Sequence, residues 1–490
     1  MRSGLNPHPR CHPGGYAAEK QIPISPTLLH FEMIDQIIIG AYLLFVLLLG
    51  LWAGRGIKNI EEYSVVKRSF SSWIIFATLS ASFIGGGFSL GNAEKVYLYG
   101  IVYIFALFGF SLKEILVAKF IAPRIGKFPN AISVGDVMET NYGKIGKVVT
   151  GIFAVTVCSG IVGAQVGAIG YIFNVFLGIP VIWGIIIGCS IVIVYSTVGG
   201  MKAVVWTDVM QFILLIFGIP LTLFFGIQYA GGMSAVVQAV PESHFSLLSD
   251  KMTLLAFASL FLTFVLGETL VPPYVQRLLI GKDAKHVARG TMMSGIFSIP
   301  FFIIAGCIGL VALAIAPDLD PNKSLPYVVN TVLPVGLKGL VIAGVISIVM
   351  SSADSFLNSA AIAFTHDVVK PLRRVTFSEK QELLLSKIAT FFVGVTSVIF
   401  AIKIKSILGI LLYTYNFWSP IVLVPLVAVF LGMKASQRDF VAGAIAGITG
   451  VLTWNMLLKG PGGIDGLIVG IVCNFVVFSL MRMQSQKTQS

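Results

Sequence analysis

Apolar residues fill this 490-residue chain in blocks of about 20, divided by short polar breaks, with no wet face recurring every three to four positions. Helices that are apolar all round belong in a bilayer, whose core about 20 residues span. The blocks lie at about 33–54, 72–92, 96–122, 148–174, 177–198, 202–226, 252–279, 290–315, 338–366, 382–402, 406–432, 440–458 and 464–482. They predict an all-α integral membrane protein of about thirteen transmembrane helices. An odd number of spans puts the two ends on opposite sides. Residues 1–31 are polar and rich in Pro and Gly, and carry no signal-peptide run. They read as a disordered tail ahead of a membrane domain at 32–482, with a short tail at 483–490. Met33, at the head of the first span, is a candidate for the true translation start.

Two spans carry breakers at mid-depth. Span 2 holds Gly85-Gly86-Gly87, and span 7 holds Gly267 followed by Pro272-Pro273. Glycine is costly inside a helix and proline removes a backbone donor, so both interiors should unwind or kink. Singly, each is an ordinary membrane kink. Their spacing adds more, because they fall five spans apart, at the first helix of two five-span sets (about 72–226 and 252–432). Paired broken helices in inverted repeats mark the substrate and ion sites of many secondary transporters.

Composition supports the membrane reading. The chain is 56% hydrophobic and 11% charged, against roughly 25% charged in a soluble domain. A net charge of +12 would suit a nucleic-acid binder, but the basic residues gather in alternate short loops. These hold Arg55, Lys58, Lys67 and Arg68 after span 1, then Arg124, Lys127, Lys144 and Lys147 after span 3. Arg277, Lys282, Lys285 and Arg289 follow span 7; Lys370, Arg373, Arg374 and Lys380 follow span 9. The positive-inside rule then puts the N-terminus outside and the C-terminus in the cytoplasm of a multi-pass protein of the cell (inner) membrane. The five cysteines show no metal spacing, and no cofactor is expected.

Ionisable groups at membrane depth point to function. In span 9, helical spacing sets Ser351, Asp354, Ser355, Asn358 and Ser359 on one face. Such hard oxygen donors suit sodium, and such serines also serve as glue between helices. Asp208 in span 6 lies near the cytoplasmic end, where it could simply face water. Glu268, beside the break in span 7, could bind a cationic group of a substrate, hold a proton or pair with a lysine. Lys113 and Glu114 in span 3 could neutralise each other or point to the cytoplasmic rim. HExxH and Walker A motifs are absent, so no enzyme activity is expected.

The run Tyr195-Ser196-Thr197-Val198-Gly199-Gly200-Met201-Lys202 through Val205-Trp206-Thr207-Asp208-Val209-Met210-Gln211 resembles the hallmark of the sodium:solute symporter family. Ser351-Ser352-Ala353-Asp354-Ser355 resembles its second motif and Gln276-Arg277 its third, over roughly residues 33–480. The resemblance implies a LeuT-type 5+5 inverted repeat, with one extra N-terminal and two extra C-terminal helices. It also implies a shared sodium site of the Ser351 and Ser352 hydroxyls with the carbonyls of Phe76, Leu79 and Ile348. A second sodium site, found in some members, maps to Ser351, Asp354, Ser355 and Asp208. Asp354 replaces a serine of several relatives, which changes the charge balance there.

The run from Gly85 to Tyr97 is most similar to the high-affinity choline transporter-like branch. A quaternary ammonium needs an aromatic cage, and the cage positions fall on Phe83, near Cys158 or Ser159, and near Val271, so at least two are not aromatic. The expected function is sodium-coupled symport of a small organic solute by alternating access. The substrate would lie among Ser82, Phe83, Gly86, Gln165, Glu268, Tyr415 and Trp418. Proton coupling of an amine through Glu268 and Asp354, a channel, and a solute sensor are the alternatives. The expected partners are the solute, sodium and the bilayer, with neither nucleic acid nor an obligatory protein.

Overall fold

A computed structural model describes residues 26–83, 86–248, 252–373, 377–403, 415–416 and 418–487. Residues 1–25 of the tail expected over 1–31, and residues 406–414 and 417 of the span predicted at 406–432, lie outside them, while residues 26–31 belong to the first helix and not to a tail. Among the described residues eight helices are long and apolar enough to cross a bilayer, and Ser72–Ser82, Leu254–Leu266 and Ser419–Phe430 add shorter apolar segments. Large apolar side chains such as Leu48, Trp183, Phe217, Phe224 and Phe392 stand exposed around the bundle, where lipid tails would cover them.

The elements used below are α1 (Pro26–Ala53), α2 (Ile60–Val65), α3 (Ser72–Phe83), α4 (Gly86–Tyr99), α5 (Val102–Leu116), α6 (Val134–Leu177), α7 (Val181–Tyr229) and α8 (Met233–Ala239). They continue with α9 (Leu254–Leu266), α10 (Pro272–Leu279), α11 (Ala284–Ile315), α12 (Ser324–Val332), α13 (Leu337–Ile362), α14 (Lys370–Leu372) and α15 (Glu379–Lys403). After the undescribed stretch come α16 (Val424–Phe430), α17 (Gln437–Leu452) and α18 (Gly466–Lys487).

The second apolar block comprises α3 and α4, and the interruption predicted within it falls on residues 84–85, outside the described residues. The seventh divides into α9 and α10, separated by a turn in which Leu270 takes φ +54°. That left-handed value is uncommon for a bulky residue. Val271 is extended, as a residue before proline should be, and Pro272 then opens α10 where its missing N–H costs nothing. The two blocks meet through backbone. Phe70 N–H donates to Ile280 O (3.2 Å) and Lys282 N–H to Phe70 O (2.9 Å), so the entry to α3 is paired with the exit of α10.

Spans predicted at 177–198 and 202–226 are the two arms of α7, which meet at a kink at Gly200 (φ +50°), between the predicted spans. Other boundaries move. The third block begins at Val102 rather than 96, because the chain turns at Gly100 against His244, whose carbonyl accepts from Ile101 N–H at 2.8 Å. Lys147 is no loop residue: it lies within α6, ion-paired with Asp136 at 2.6 Å and Glu139 at 2.9 Å.

Helix α1 crosses α7 at very close range. A Cβ on Gly54 would fall 2.6 Å from the Gly199 Cα, and one on Gly50 2.6 Å from the Tyr195 Cβ. Small residues permit such backbone approach in membrane helices. Tyr195, held beneath this crossing, reaches the charged centre described next. Gly54→Leu should therefore cost about 1–3 kcal/mol by overpacking, read as a lowered thermal midpoint of the detergent-purified protein. A midpoint equal to the wild type would refute the contact.

Candidate functional site

Four elements converge on a buried charged centre: the end of α3, the second half of α7, the first turns of α10 and the middle of α13. Asp208 on α7 is the hub. Its Oδ2 accepts from Arg277 Nη2 at 2.8 Å and from the Thr78 hydroxyl in a very short bond; its Oδ1 accepts from Ser351 Oγ at 2.5 Å. Arg277 itself is fully buried. Its Nη2 also donates to Ser355 Oγ (2.6 Å), its Nε to Thr78 Oγ1 (3.1 Å) and its Nη1 to the Pro273 carbonyl (3.1 Å). A guanidinium carries a planar fork of five donors, and here that fork binds three helices together.

Asp354 forms the second half of the centre. Tyr195 OH donates to its Oδ2 at 2.5 Å, with Thr207 Oγ1 at 3.4 Å. Ser355 Oγ lies 3.1 Å from its Oδ1 and donates to the Ser351 carbonyl at 2.6 Å. Both aspartates and the arginine are fully buried. Beside them the Ser352 hydroxyl donates to the Ser82 carbonyl at 3.0 Å, tying α13 to the last turn of α3.

A second polar group surrounds the break between α9 and α10. Glu268 is buried with one carboxylate oxygen unpaired, and Tyr274 and Tyr415 face it. Lys113 is ion-paired with Glu114 at 2.8 Å, and its ammonium lies 3.5 Å from the Phe110 ring centre and 4.6 Å from that of Tyr274. Carbonyls freed by the break are taken up from outside: Trp418 Nε1 donates to Thr269 O at 3.3 Å and Ser419 Oγ to Gly267 O at 2.6 Å.

Thus Asp208, Ser351, Asp354 and Ser355 come together, and Ser352 reaches Ser82, whose own hydroxyl donates to the Thr78 carbonyl. Leu79 is buried on the same helix. The Phe76 ring turns away into a cluster with Trp73, Phe212 and Phe297, which leaves only its backbone relevant to the centre. Glu268, Tyr415 and Trp418 form the group at the break between α9 and α10. Gln165 is buried on α6, which packs against α10 and α13. Gly86 opens α4, while the side chains of Phe83 and Ile348 lie outside the described residues.

Two readings need correction. Asp208 does not face water, and Arg277 is not a loop charge. Arg277 follows the break closely enough to look like the edge of a loop, but α10 carries it back into the protein. Thr78 and Thr207 carried no signal beyond an ordinary in-span hydroxyl. Lys113 and Glu114 do pair, within the protein rather than at its rim.

The model of the sodium:solute symporter family matches residues 63–450, most of the chain and all of the charged centre. The chain belongs to that family. Among relatives of the symporter, the sodium/glucose cotransporter of Vibrio parahaemolyticus is 24% identical over 470 residues, covering 87% of this chain and 85% of that one. The human high affinity choline transporter 1 is 25% identical over 447 residues, 86% and 76% of the two chains. The symporter also shares its fold with a Na+-coupled sialic acid symporter solved substrate-bound and outward-open (TM-score 0.80, 20% identity, 92% and 97% coverage). The transporter Mhp1 lies further off, with a TM-score of 0.59 at 14% identity over 87% and 95% of the chains. A multi-pass membrane transporter, and not an enzyme, follows from membership.

Removing one partner of a buried ion pair strands the other charge, at about 3–5 kcal/mol. Arg277→Gln should destabilise the symporter by that order, and coupling Arg277→Met to Asp208→Asn should recover much of it. Thermal unfolding of the purified variants tests this; a double variant no better than the single one would rule out the pair as the cause.

Proposed function

We propose that the chain imports a small organic solute together with sodium by alternating access, from a core of two inverted five-helix repeats within thirteen spans. The N-terminus would lie outside and the C-terminus in the cytoplasm of the cell membrane. The observation that carries this reading is the meeting of the Ser351–Ser352 pair with the last turn of α3, through the 3.0 Å bond from Ser352 to the Ser82 carbonyl. A sodium ion would be held by Ser351 and Ser352 with the carbonyls of Phe76, Leu79 and Ile348. Binding across α3 and α13 would draw the two elements together and favour one state of the carrier.

Charge balance favours a further cation. With both carboxylates ionised, Asp208 and Asp354 against the guanidinium of Arg277 would leave one negative charge in a fully buried centre. A second sodium at Asp208, Ser351, Asp354 and Ser355 would neutralise it. The substrate would sit between the two breaks, among Ser82, Phe83, Gly86, Gln165, Glu268, Tyr415 and Trp418. The unpaired oxygen of Glu268 favours a solute with an amine or another hydrogen-bond donor. The incomplete ring of aromatics argues against choline itself. Each sodium carried inward draws about 2.3 kcal/mol from every 100 mV of membrane potential.

Sodium should raise the thermal midpoint of the purified protein with a sigmoidal dependence. Ser351→Ala with Ser352→Ala should abolish that dependence while leaving the protein folded. Stabilisation that ignores sodium and follows pH would instead move the coupling role to protons on Glu268 and Asp354. Asp354→Asn neutralises the centre and should reduce the sodium Hill coefficient of uptake from above 1 to about 1. A coefficient that does not move would eliminate the second ion.

A further inference from the structure

On the outer face of the bundle, away from the charged centre, a cavity of about 470 Å³ opens between α5 with its π-helical extension (Val117–Ile121), α9 with the turn after it, α16 and α18. Its walls are almost wholly apolar, with Phe120, Val265, Val427 and Phe475 among them. The volume falls within the usual range for a small-molecule site, roughly 300–1,000 Å³. Its lining takes in Thr269 and Leu270 at the break between α9 and α10, Lys113, which is already paired with Glu114, and Arg482 on α18.

Further basic groups flank its walls. Arg482 Nε donates to the Lys434 carbonyl at 2.8 Å, Arg124 bonds the carbonyl of the wall residue Phe120, and the Lys127 ammonium lies beside Gly432. The nearby acid, Asp439, is buried and already engaged by the backbone of Ser436 and the hydroxyl of Ser485. An apolar trough flanked by uncompensated cations at the membrane boundary matches an amphiphile with a chain and an anionic head. Basic pockets between membrane helices on the cytoplasmic side bind such headgroups.

We propose that this trough is a site for an anionic phospholipid of the leaflet facing the basic loops. An acyl chain lies along α9, α16 and α18, and the phosphate rests among Arg124, Lys127, Lys434 and Arg482. Because Thr269 and Leu270 line the trough, occupancy bears directly on the interrupted helix. The leaflet assignment rests on the orientation given above; the site itself does not.

Native mass spectrometry of the detergent-purified full chain, titrated with phosphatidylglycerol and separately with phosphatidylcholine, tests the site. Phosphatidylglycerol should be retained and phosphatidylcholine much less. Arg482→Gln should weaken retention about fivefold, the contribution of one basic group at an anionic surface, and Arg482→Lys should restore it. Val427→Trp, which fills the trough without touching a charge, should also reduce retention. Equal retention of the two lipids, or unchanged retention in both Arg482→Gln and Val427→Trp, would overturn the proposal. No transport is needed for this readout, so a chain lacking sodium-dependent uptake that still retains phosphatidylglycerol would lose the symport reading and keep the site.

Discussion

Everything at the centre of this protein is arranged around the cost of keeping Asp208 charged where water cannot reach it. An isolated carboxylate in such surroundings is prohibitively unfavourable. Arg277 offsets that cost with a bond of 2.8 Å, and Thr78 and Ser351 add hydroxyl donors. These partners come from α10, α3 and α13, so a single carboxylate on α7 sets the mutual positions of four helices. The interrupted helix is part of the same solution. Had α9 continued straight, Arg277 would have no reason to lie at this depth; the turn at Leu270 and the two prolines redirect the chain so that the guanidinium meets its acid.

The interruptions are the clearest features that the residues themselves announce. A proline pair at mid-span has few other uses, and the break between α9 and α10 stands where Pro272-Pro273 puts it. The serine stripe of α13 is equally plain, since Ser351, Asp354 and Ser355 share a face by simple periodicity and all meet the buried centre. Less legible is anything that depends on partners distant along the chain. The bond between Thr78 and Asp208 spans 130 positions and that between Tyr195 and Asp354 spans 159, and no local pattern encodes either. Arg277 misleads for a physical reason: a basic residue soon after an apolar block is the usual mark of a membrane boundary, and only the redirected α10 reveals otherwise.

The break between α9 and α10 is finished from outside. Trp418 and Ser419 satisfy carbonyls that a regular helix would have bonded internally. This keeps the irregular backbone at membrane depth from being left unpaired. A segment distant in the chain thus supplies what the interrupted helix lacks, and the opening is tied to a neighbour.

The short backbone pairing of Phe70 with Ile280 and Lys282 joins the start of α3 to the end of α10 by main-chain bonds, which no side-chain substitution removes. Arg277 Nε, bonded to Thr78, adds a side-chain tie between the same two helices. In a carrier that works by alternating access, helices joined in this way would tilt together, and arrangements open to both sides at once would be harder to reach.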